Sequence, residues 1–255
     1  MIRWKLTVEY DGGSYVGWQR QENGRSIQQS MEEAVFHFCG EETRVHGAGR
    51  TDAGVHAMGQ VAHVDIKKQA SAHTIREALN AHMRNEQIVV TDAVQVMPNF
   101  HARISAVRRT YLYRILNRRP RPTLEAGRVW HVPLPLDTKA MHAAAQALVG
   151  RHNFTSFRAA MCQAKSPVRT IEELSVIRKG DEIQIHVRAQ SFLHHQIRNF
   201  AGSLELVGSR KWTAADLLAA LAAEDRSAAG PTAPPDGLYL VEVEYPNMDS
   251  SQAPE

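Results

Sequence analysis

The chain opens with the segment IRWKLTVEY, Ile2–Tyr10, in which apolar and polar residues alternate without interruption. A period of two is typical of a β-strand that has one buried side and one solvent-facing side. A turn sequence, Asp11-Gly12-Gly13, follows this strand. Ser26 and Gln29 then form a capping-box pattern ahead of apolar residues at helical spacing. The first forty residues therefore predict a strand followed by a helix.

The order strand, helix, two strands, helix, strand occurs twice along the chain. In the first half, strands are predicted at 2–10, 43–47, 60–66 and 87–96, with helices after Ser26 and at 71–84. In the second half, strands are predicted at 106–117, 170–178, 182–190 and 238–245, with helices at 137–149 and 192–207 and an extra helix at 213–223. We therefore predict an α+β fold of two related halves, which share one continuous antiparallel sheet with helices packed on one face.

The domain organisation follows from this repeat. We expect an N-terminal half over 1–104, a C-terminal half over 105–246 and an acidic tail over 247–255. The Arg- and Pro-rich stretch 118–128 and the Pro- and Ala-rich stretch 228–235 are predicted to be loops.

Composition limits the class of protein. The chain has 255 residues, of which 43% are hydrophobic and 22% charged, as in an ordinary globular protein. The two cysteines, Cys39 and Cys162, lie too far apart for a Cys-x-x-Cys motif, and no disulfide framework is possible. The N-terminus lacks a secretory apolar core, and the longest aliphatic run, 217–223, is too short to cross a bilayer. We expect a cytoplasmic protein without membrane contact.

Charge is unevenly distributed, although the net value is only +3. The stretch 101–128 contains eight arginines and one acidic residue, Glu125, whereas acidic residues dominate from Glu224 onward. Arginine is well suited to bidentate contact with phosphate. Nucleic acid is therefore one candidate partner, and a solvated basic face is the equally good alternative.

The stretch most typical of a functional site is GAGRTDAGVHA, residues 47–57. Three glycines and several small residues surround one carboxylate, Asp52, and let backbone approach a ligand closely. A dinucleotide-binding fingerprint is excluded because Asp52 occupies a position that requires glycine. A phosphate-binding loop over Gly12–Gly17 is excluded because Trp18 stands where lysine is required. The alternative is an Asx-turn in a tight connection.

Three further features are ambiguous. Tyr111 and Tyr113 lie on one side of the basic strand, where they could stack on bases or belong to the core. Arg198 lies on the side of its predicted helix opposite the apolar residues, as a surface charge would. His194 and His195 are adjacent, which does not suit two metal ligands on one helix face, so no metal site is predicted.

Six motifs, in order along the chain, resemble those of the TruA family of tRNA pseudouridine synthases. Together they cover nearly the whole chain: YDG with Tyr15 and GWQ at 10–19, GRTDAGVHA at 49–57, FHAR with RTY at 100–111, SPVRT at 166–170, FLHHQIRN at 192–199, and PP with GLYL at 234–240. The resemblance implies a pseudouridine synthase fold with ferredoxin-like halves. It also implies an isomerase that converts uridine to pseudouridine at positions 38, 39 and 40 of the tRNA anticodon stem-loop. Such an enzyme needs no metal or organic cofactor and acts as a cytoplasmic homodimer.

The resemblance also implies roles for particular residues. Asp52 would be the nucleophile that attacks a flipped-out uridine at either the sugar carbon or the base ring. Tyr111 would stack on the uracil and help to remove the last proton, and Arg198 would pair with Asp52 and orient it. Arg50 would fill the space that the base leaves. The expected substrate-binding residues are Tyr111, Arg50, Arg109, His56, Gln60 and Arg103.

Two alternatives remain open at this stage. A non-catalytic RNA-binding protein could use the same basic strand and tyrosine pair without needing Asp52. A nucleoside or glycoside hydrolase could use Asp52 as nucleophile, because cleavage of the glycosidic bond is half of the isomerisation.

Overall fold

The computed structural model describes residues 1–246, so the predicted acidic tail 247–255 lies outside the described residues. The strands are β1 Ile2–Tyr10, β2 His46–Gly47, β3 His56–Ile66, β4 Ile88–Val96, β5 Arg108–Leu116, β6 Trp130–His131, β7 Gly150–Asn153, β8 Val168–Lys179, β9 Glu182–Ala189 and β10 Leu238–Glu244. The α-helices are α1 Ile27–Cys39, α2 Ala72–His82, α3 Thr138–Ala145, α4 Gln196–Gly208 and α5 Ala214–Ala222.

Contacts divide the chain into two compact units. Unit 1 contains Met1–Ala53, Ala57–Arg109 and the described residues from Val241 onward, whereas unit 2 contains Gly54–His56 and Thr110–Leu240. Strand β10 contributes Leu238–Leu240 to unit 2 and Val241–Glu244 to unit 1. The halves predicted at 1–104 and 105–246 remain a prediction about the organisation of the chain.

Unit 1 is built on β1, whose alternation predicts its burial correctly. Trp4, Leu6, Val8 and Tyr10 are buried, and the residues between them are partly or fully exposed. Hydrogen-bonded neighbours follow the antiparallel order β4-β1-β3, with β10 next to β3. The β3–β10 pairing needs glycine at position 59, because a Cβ there would lie 2.4 Å from the Val241 carbonyl oxygen.

The helices of unit 1 begin where the sequence predicts. The Ser26 Oγ accepts a hydrogen bond from the Gln29 backbone N–H at 3.2 Å, which caps α1, and Ser71 caps α2 in the same way. Helix α1 ends at Cys39 and is capped by Gly40, whose φ of 73° is the left-handed conformation that favours glycine. The two helices contact each other, and α2 also packs on β4.

Unit 2 repeats this plan with additions. Its hydrogen-bonded neighbours follow the order β10-β5-β9-β8-β7, and the short β6 pairs with β5 in parallel. Helices α3, α4 and α5 contact one another, and α3 packs on β8. The α+β class is confirmed, with five helices and a large, mostly antiparallel sheet among residues 1–246.

Several elements differ from the sequence prediction. Strands β6 and β7 were not predicted, because each is short and neither alternates apolar with polar residues. Helix α4 begins at Gln196 instead of residue 192, because His195 has a φ of 63° and cannot continue a right-handed helix. Helix α3 ends at Ala145 and continues as a 3₁₀ turn to Leu148.

The core of unit 2 contains an aromatic cluster. Phe154, Phe157 and Phe200 are completely buried and meet edge to face, with ring centroids 5.1–6.3 Å apart. Among the described residues, no helix combines the length and the apolar character that crossing a membrane requires.

This cluster gives a test of the fold. Phe200→Ala should lower the free energy of unfolding by about 3–5 kcal/mol, because it leaves a cavity between the other two rings. Leu218→Ala is the control, since Leu218 lies on α5 with half of its surface exposed. Urea unfolding monitored by circular dichroism measures both variants. Equal, small losses would contradict a tightly packed cluster.

Candidate active site

The loop that carries Asp52 is fixed to unit 1 through its backbone. The Ala48 N–H donates to the Val61 carbonyl at 2.7 Å, and the Trp18 N–H donates to the Thr51 carbonyl at 3.0 Å. The backbone at Gly47 also packs closely against the Trp18 indole, because a Cβ at this position would lie 2.5 Å from the ring. The backbone on the N-terminal side of Asp52 is therefore held at several points.

A buried amide completes this attachment. The Gln60 side chain on β3 is fully buried; its Nε2 donates to the Gly49 carbonyl at 2.9 Å, and its Oε1 accepts from the Gly49 N–H at 3.3 Å. The Tyr10 hydroxyl lies 2.8 Å from Thr51 Oγ1. Burial raises the pKa of Tyr10 to about 12, so the hydroxyl stays protonated at neutral pH. The resemblance implies a substrate contact for Gln60, and in the structure its amide is bonded to the loop that carries Asp52.

Arg109 holds the same loop from β5. It is only 8% exposed, and its guanidinium donates to the Ala48 carbonyl at 3.1 Å and to the Arg103 carbonyl at 2.8 Å. Two backbone segments are thereby connected through one buried cation. Asp52 itself is half-buried, and the side chains of Arg50 and Arg103 are exposed.

Three histidines support the segment that contains Arg103. The His63 ring stacks on His46 with centroids 4.9 Å apart and lies 4.6 Å from the His101 ring. The His63 Nδ1 accepts from the Ala102 N–H at 3.2 Å, and the His101 Nδ1 accepts from the Arg103 N–H at 3.1 Å. Burial, reinforced by the charges of the neighbouring histidines and Arg3, lowers the pKa of His63 to about 4. The segment is therefore held by a neutral imidazole. No motif in the sequence indicates this cluster, because its three histidines come from separate segments of the chain.

This cluster predicts a pH dependence of stability. The pKa of His63 is about 4 in the folded state and 6.5 as the ordinary value, so its stabilising effect is complete above about pH 6.5 and decreases as the pH falls towards 4. The free energy of unfolding should therefore be lower near pH 4 than above pH 6.5 by on the order of 2–3 kcal/mol. His63→Gln keeps an acceptor but does not titrate, so urea unfolding at several pH values should show a flatter dependence.

Phe100→Leu is the matched control for this prediction. Phe100 contacts the His63 ring edge to face, and its replacement should lower stability about equally at every pH. An unchanged pH dependence in His63→Gln would show that His63 does not supply the effect.

In unit 2, the structure separates the two tyrosines of β5. Tyr113 is completely buried and donates its hydroxyl to the Pro234 carbonyl at 2.7 Å, and burial raises its pKa well above the ordinary value. Tyr111 is 9% exposed, and its ring meets Phe192 edge to face at 5.2 Å. Tyr113 is thus a core residue, whereas Tyr111 lies at the border of the packed interior.

Arg198 is anchored at its Nε. This group donates to the Ala233 carbonyl at 2.8 Å, and the Ala233 N–H donates back to the Arg198 carbonyl at 3.1 Å. Asn199 and Gly202 lie on the same side of α4 as Arg198 and are buried, and a Cβ at Gly202 would lie 1.8 Å from the Pro231 carbonyl oxygen. The chain after α5 covers this side of α4, so Arg198 does not lie on an open helix face.

His56 has structural contacts in unit 2. It is 2% exposed, its ring stacks on Tyr239 at 4.7 Å, and its Nε2 lies 3.1 Å from the Gly127 carbonyl oxygen. The structure therefore places it as a support for the loop before β6. Among the predicted binding residues, Arg109, His56 and Gln60 contact protein groups, whereas Arg50 and Arg103 present exposed side chains.

Several arginines of the basic stretch are paired with acidic residues. Arg114 contacts Glu182 at 2.6 Å, which raises the arginine pKa and lowers that of Glu182, and Arg118 lies 3.5 Å from Asp181. In unit 1, Arg108 contacts Glu244 at 2.8 Å. These acids are distant in sequence, so composition overstates the free positive charge of the stretch.

Comparison with known proteins identifies the class. A sequence model of a family described as tRNA pseudouridine synthase matches residues 6–103 and 144–246, which include Asp52 and Arg198. The chain belongs to this family, whose members are isomerases acting on uridines of tRNA.

Individual relatives match over nearly the full length. The chain is 60% identical over 253 residues to a tRNA pseudouridine synthase A of Rhodospirillum rubrum. The aligned region covers 99% of this chain and 91% of that protein. The chain is 57% identical over 245 residues to a tRNA pseudouridine synthase A of Parvibaculum lavamentivorans, covering 96% of this chain and 100% of that protein. A third relative of the same name, from Sinorhizobium fredii, is 59% identical over 247 residues, with the same two coverages.

Proposed function

We propose that this enzyme converts uridine to pseudouridine at positions 38, 39 and 40 of the tRNA anticodon stem-loop, with Asp52 as the nucleophile. Family membership supports the general reaction, isomerisation of uridine in tRNA. The observation that supports the nucleophile is the fixation of its loop, in which Gly49 and Thr51, on either side of Arg50, are bonded to buried groups of unit 1. The carboxylate that follows is half-buried in this rigid frame.

The proposed chemistry needs one carboxylate and no cofactor. Asp52 attacks the nucleotide at the ribose C1′ or at the uracil ring, and the N1–C1′ bond breaks. The uracil then rotates and a C5–C1′ bond forms. The bond between Asp52 and the nucleotide breaks, which returns the free carboxylate, while C5 loses its proton and N1 gains one. A carboxylate that is already oriented lowers the activation free energy of the attack, because the entropy loss of orienting it occurs during folding.

Tyr111 is proposed to stack on the extruded uracil and to help remove the C5 proton. Its ring is packed edge to face on Phe192, which limits its rotation and leaves a small part of the residue accessible. Arg198 is proposed to orient the carboxylate of Asp52 through its guanidinium, whose Nε is already held by the Ala233 carbonyl. Both residues are thus restrained within unit 2.

Binding of the tRNA is proposed to use exposed cations. Arg50 lies next to the nucleophile and is proposed to take the space that the flipped base leaves. Arg103 is exposed, and its backbone is fixed by His101 and Arg109, so no backbone ordering is needed when its side chain contacts a phosphate. The proposal includes a homodimer that works in the cytoplasm.

The site of modification gives the direct test of this function. Purified protein incubated with an unmodified tRNA transcript should produce pseudouridine at positions 38–40, mapped by chemical labelling and primer extension. A transcript with cytidine at these three positions is the control and should gain none. Pseudouridine at other positions, or tRNA binding without product, would contradict the proposed target.

Tyr111→Phe tests the proton role separately from stacking. Turnover should fall at least about a hundredfold, since general-base catalysis typically contributes that much, while tRNA affinity stays within about twofold. Tyr15→Phe is the matched control, because it removes a tyrosine hydroxyl of unit 1 that donates to Glu86 at 2.7 Å. Wild-type turnover in Tyr111→Phe, measured at saturating tRNA, would remove the proton role.

A further inference from the structure

A polar network in unit 2 connects α4 to the segment 229–234, and its centre is Arg226. One guanidinium nitrogen of Arg226 donates to the Ala229 and Gly230 carbonyls at 3.3 and 3.0 Å. A second guanidinium nitrogen, Nη2, donates to Asn199 Oδ1 at 3.1 Å and to Thr232 Oγ1 at 3.0 Å. A single side chain therefore bonds three residues of the 229–234 segment and one residue of the helix.

The helix side of this network is buried and well bonded. The Asn199 Nδ2 donates to the Phe157 carbonyl at 2.8 Å, and Asn199 Oδ1 also accepts from the Thr232 hydroxyl at 2.7 Å. The Ser203 hydroxyl donates to the Asn199 carbonyl and accepts from the Gly230 N–H at 3.0 Å. Asn199 and Ser203 are completely buried, so their orientations leave little freedom to the segment that they hold.

The 229–234 segment in turn holds Arg198. Ala233 lies one residue after Thr232, and its carbonyl accepts the Arg198 Nε–H at 2.8 Å. On the following residue, the Pro234 carbonyl accepts the Tyr113 hydroxyl at 2.7 Å. The segment therefore fixes the direction of the Arg198 guanidinium, and Arg226 contributes four of the hydrogen bonds that keep the segment in place against α4.

We propose that Arg226 is a positioning residue for the isomerisation: it holds the 229–234 segment on α4 and thereby fixes Arg198. This inference rests on the proposed function, because it assumes that the orientation of Arg198 matters for turnover. Arg226 contacts no reacting group in this account. Its flat fork of donors suits four separate acceptors, which a lysine ammonium cannot serve together.

Two measurements on Arg226→Ala test the proposal. Solvent exchange of the Arg198 Nε–H, observed by ¹⁵N NMR and assigned with Arg198→Lys, should become at least about tenfold faster, because its acceptor is no longer fixed. In steady-state kinetics, kcat should fall by about 10–100-fold while KM changes by less than about twofold, as expected for a misdirected catalytic group. Arg226→Lys should be intermediate in both measurements.

Arg178→Ala is the matched control. Arg178 has a similar arrangement elsewhere in unit 2, with a guanidinium nitrogen donating to Asn117 Oδ1 at 2.8 Å and to the Leu136 carbonyl at 3.1 Å. Its loss should lower stability comparably and leave both the Arg198 exchange rate and kcat unchanged. Thr232→Val is the milder variant for use if Arg226→Ala does not fold, and it should show the same two changes to a smaller extent.

The outcomes separate this proposal from the proposed function. An unchanged Arg198 Nε–H exchange rate in folded Arg226→Ala, or an equal loss of kcat in Arg178→Ala, would overturn the positioning role. Wild-type turnover in Arg198→Lys would instead overturn the catalytic role of Arg198, and with it the effect of Arg226 on turnover. The exchange measurement does not depend on activity, so it decides the structural link by itself.

Discussion

The arrangement around Asp52 depends on the buried amide of Gln60. Antiparallel pairing of β1 and β3 sets Val8 opposite Gln60 and brings Tyr10 next to the same loop. In this position one amide satisfies both the N–H and the carbonyl of Gly49. Because an unsatisfied buried polar group costs about 1–3 kcal/mol, these partners hold the loop more firmly than its small side chains could. A Gly-rich segment, flexible by composition, thereby becomes a rigid support for a carboxylate.

The same physical solution occurs in both units. Arg109 connects two carbonyls in unit 1, and Arg226 connects an amide, a hydroxyl and two carbonyls in unit 2. In each case a partly or fully buried guanidinium serves the backbone instead of the solvent. The arginines of this chain therefore serve two purposes, phosphate binding and support of the backbone. The ion pairs of Arg114 and Arg118 further reduce the positive charge that is available for RNA.

Much of the fold could be predicted from the sequence, because alternation and helix caps involve residues that lie close together along the chain. The alternation in Ile2–Tyr10, the cap at Ser26 and the start of α2 next to Ser71 match the structure, and the predicted order of elements occurs with β6 and β7 added. The start of α4 could not be predicted, since the left-handed conformation of His195 has no signal in its residue type. The supporting contacts of Gln60, His63 and Arg226 were also missed. Their partners lie 11, 39 and 27 residues away, so only the folded chain brings them together.

The central claim is that a rigidly held Asp52 carries out the covalent chemistry. The most direct measurement is release of tritium from tRNA labelled at uracil C5, comparing the wild type with Asp52→Asn, together with filter binding of the same tRNA. Asp65→Asn is the control, because Asp65 on β3 instead pairs with Arg3 at 2.6 Å. We predict release by the wild type and by Asp65→Asn, and none by Asp52→Asn despite intact binding. Release by Asp52→Asn at the wild-type rate would contradict the claim.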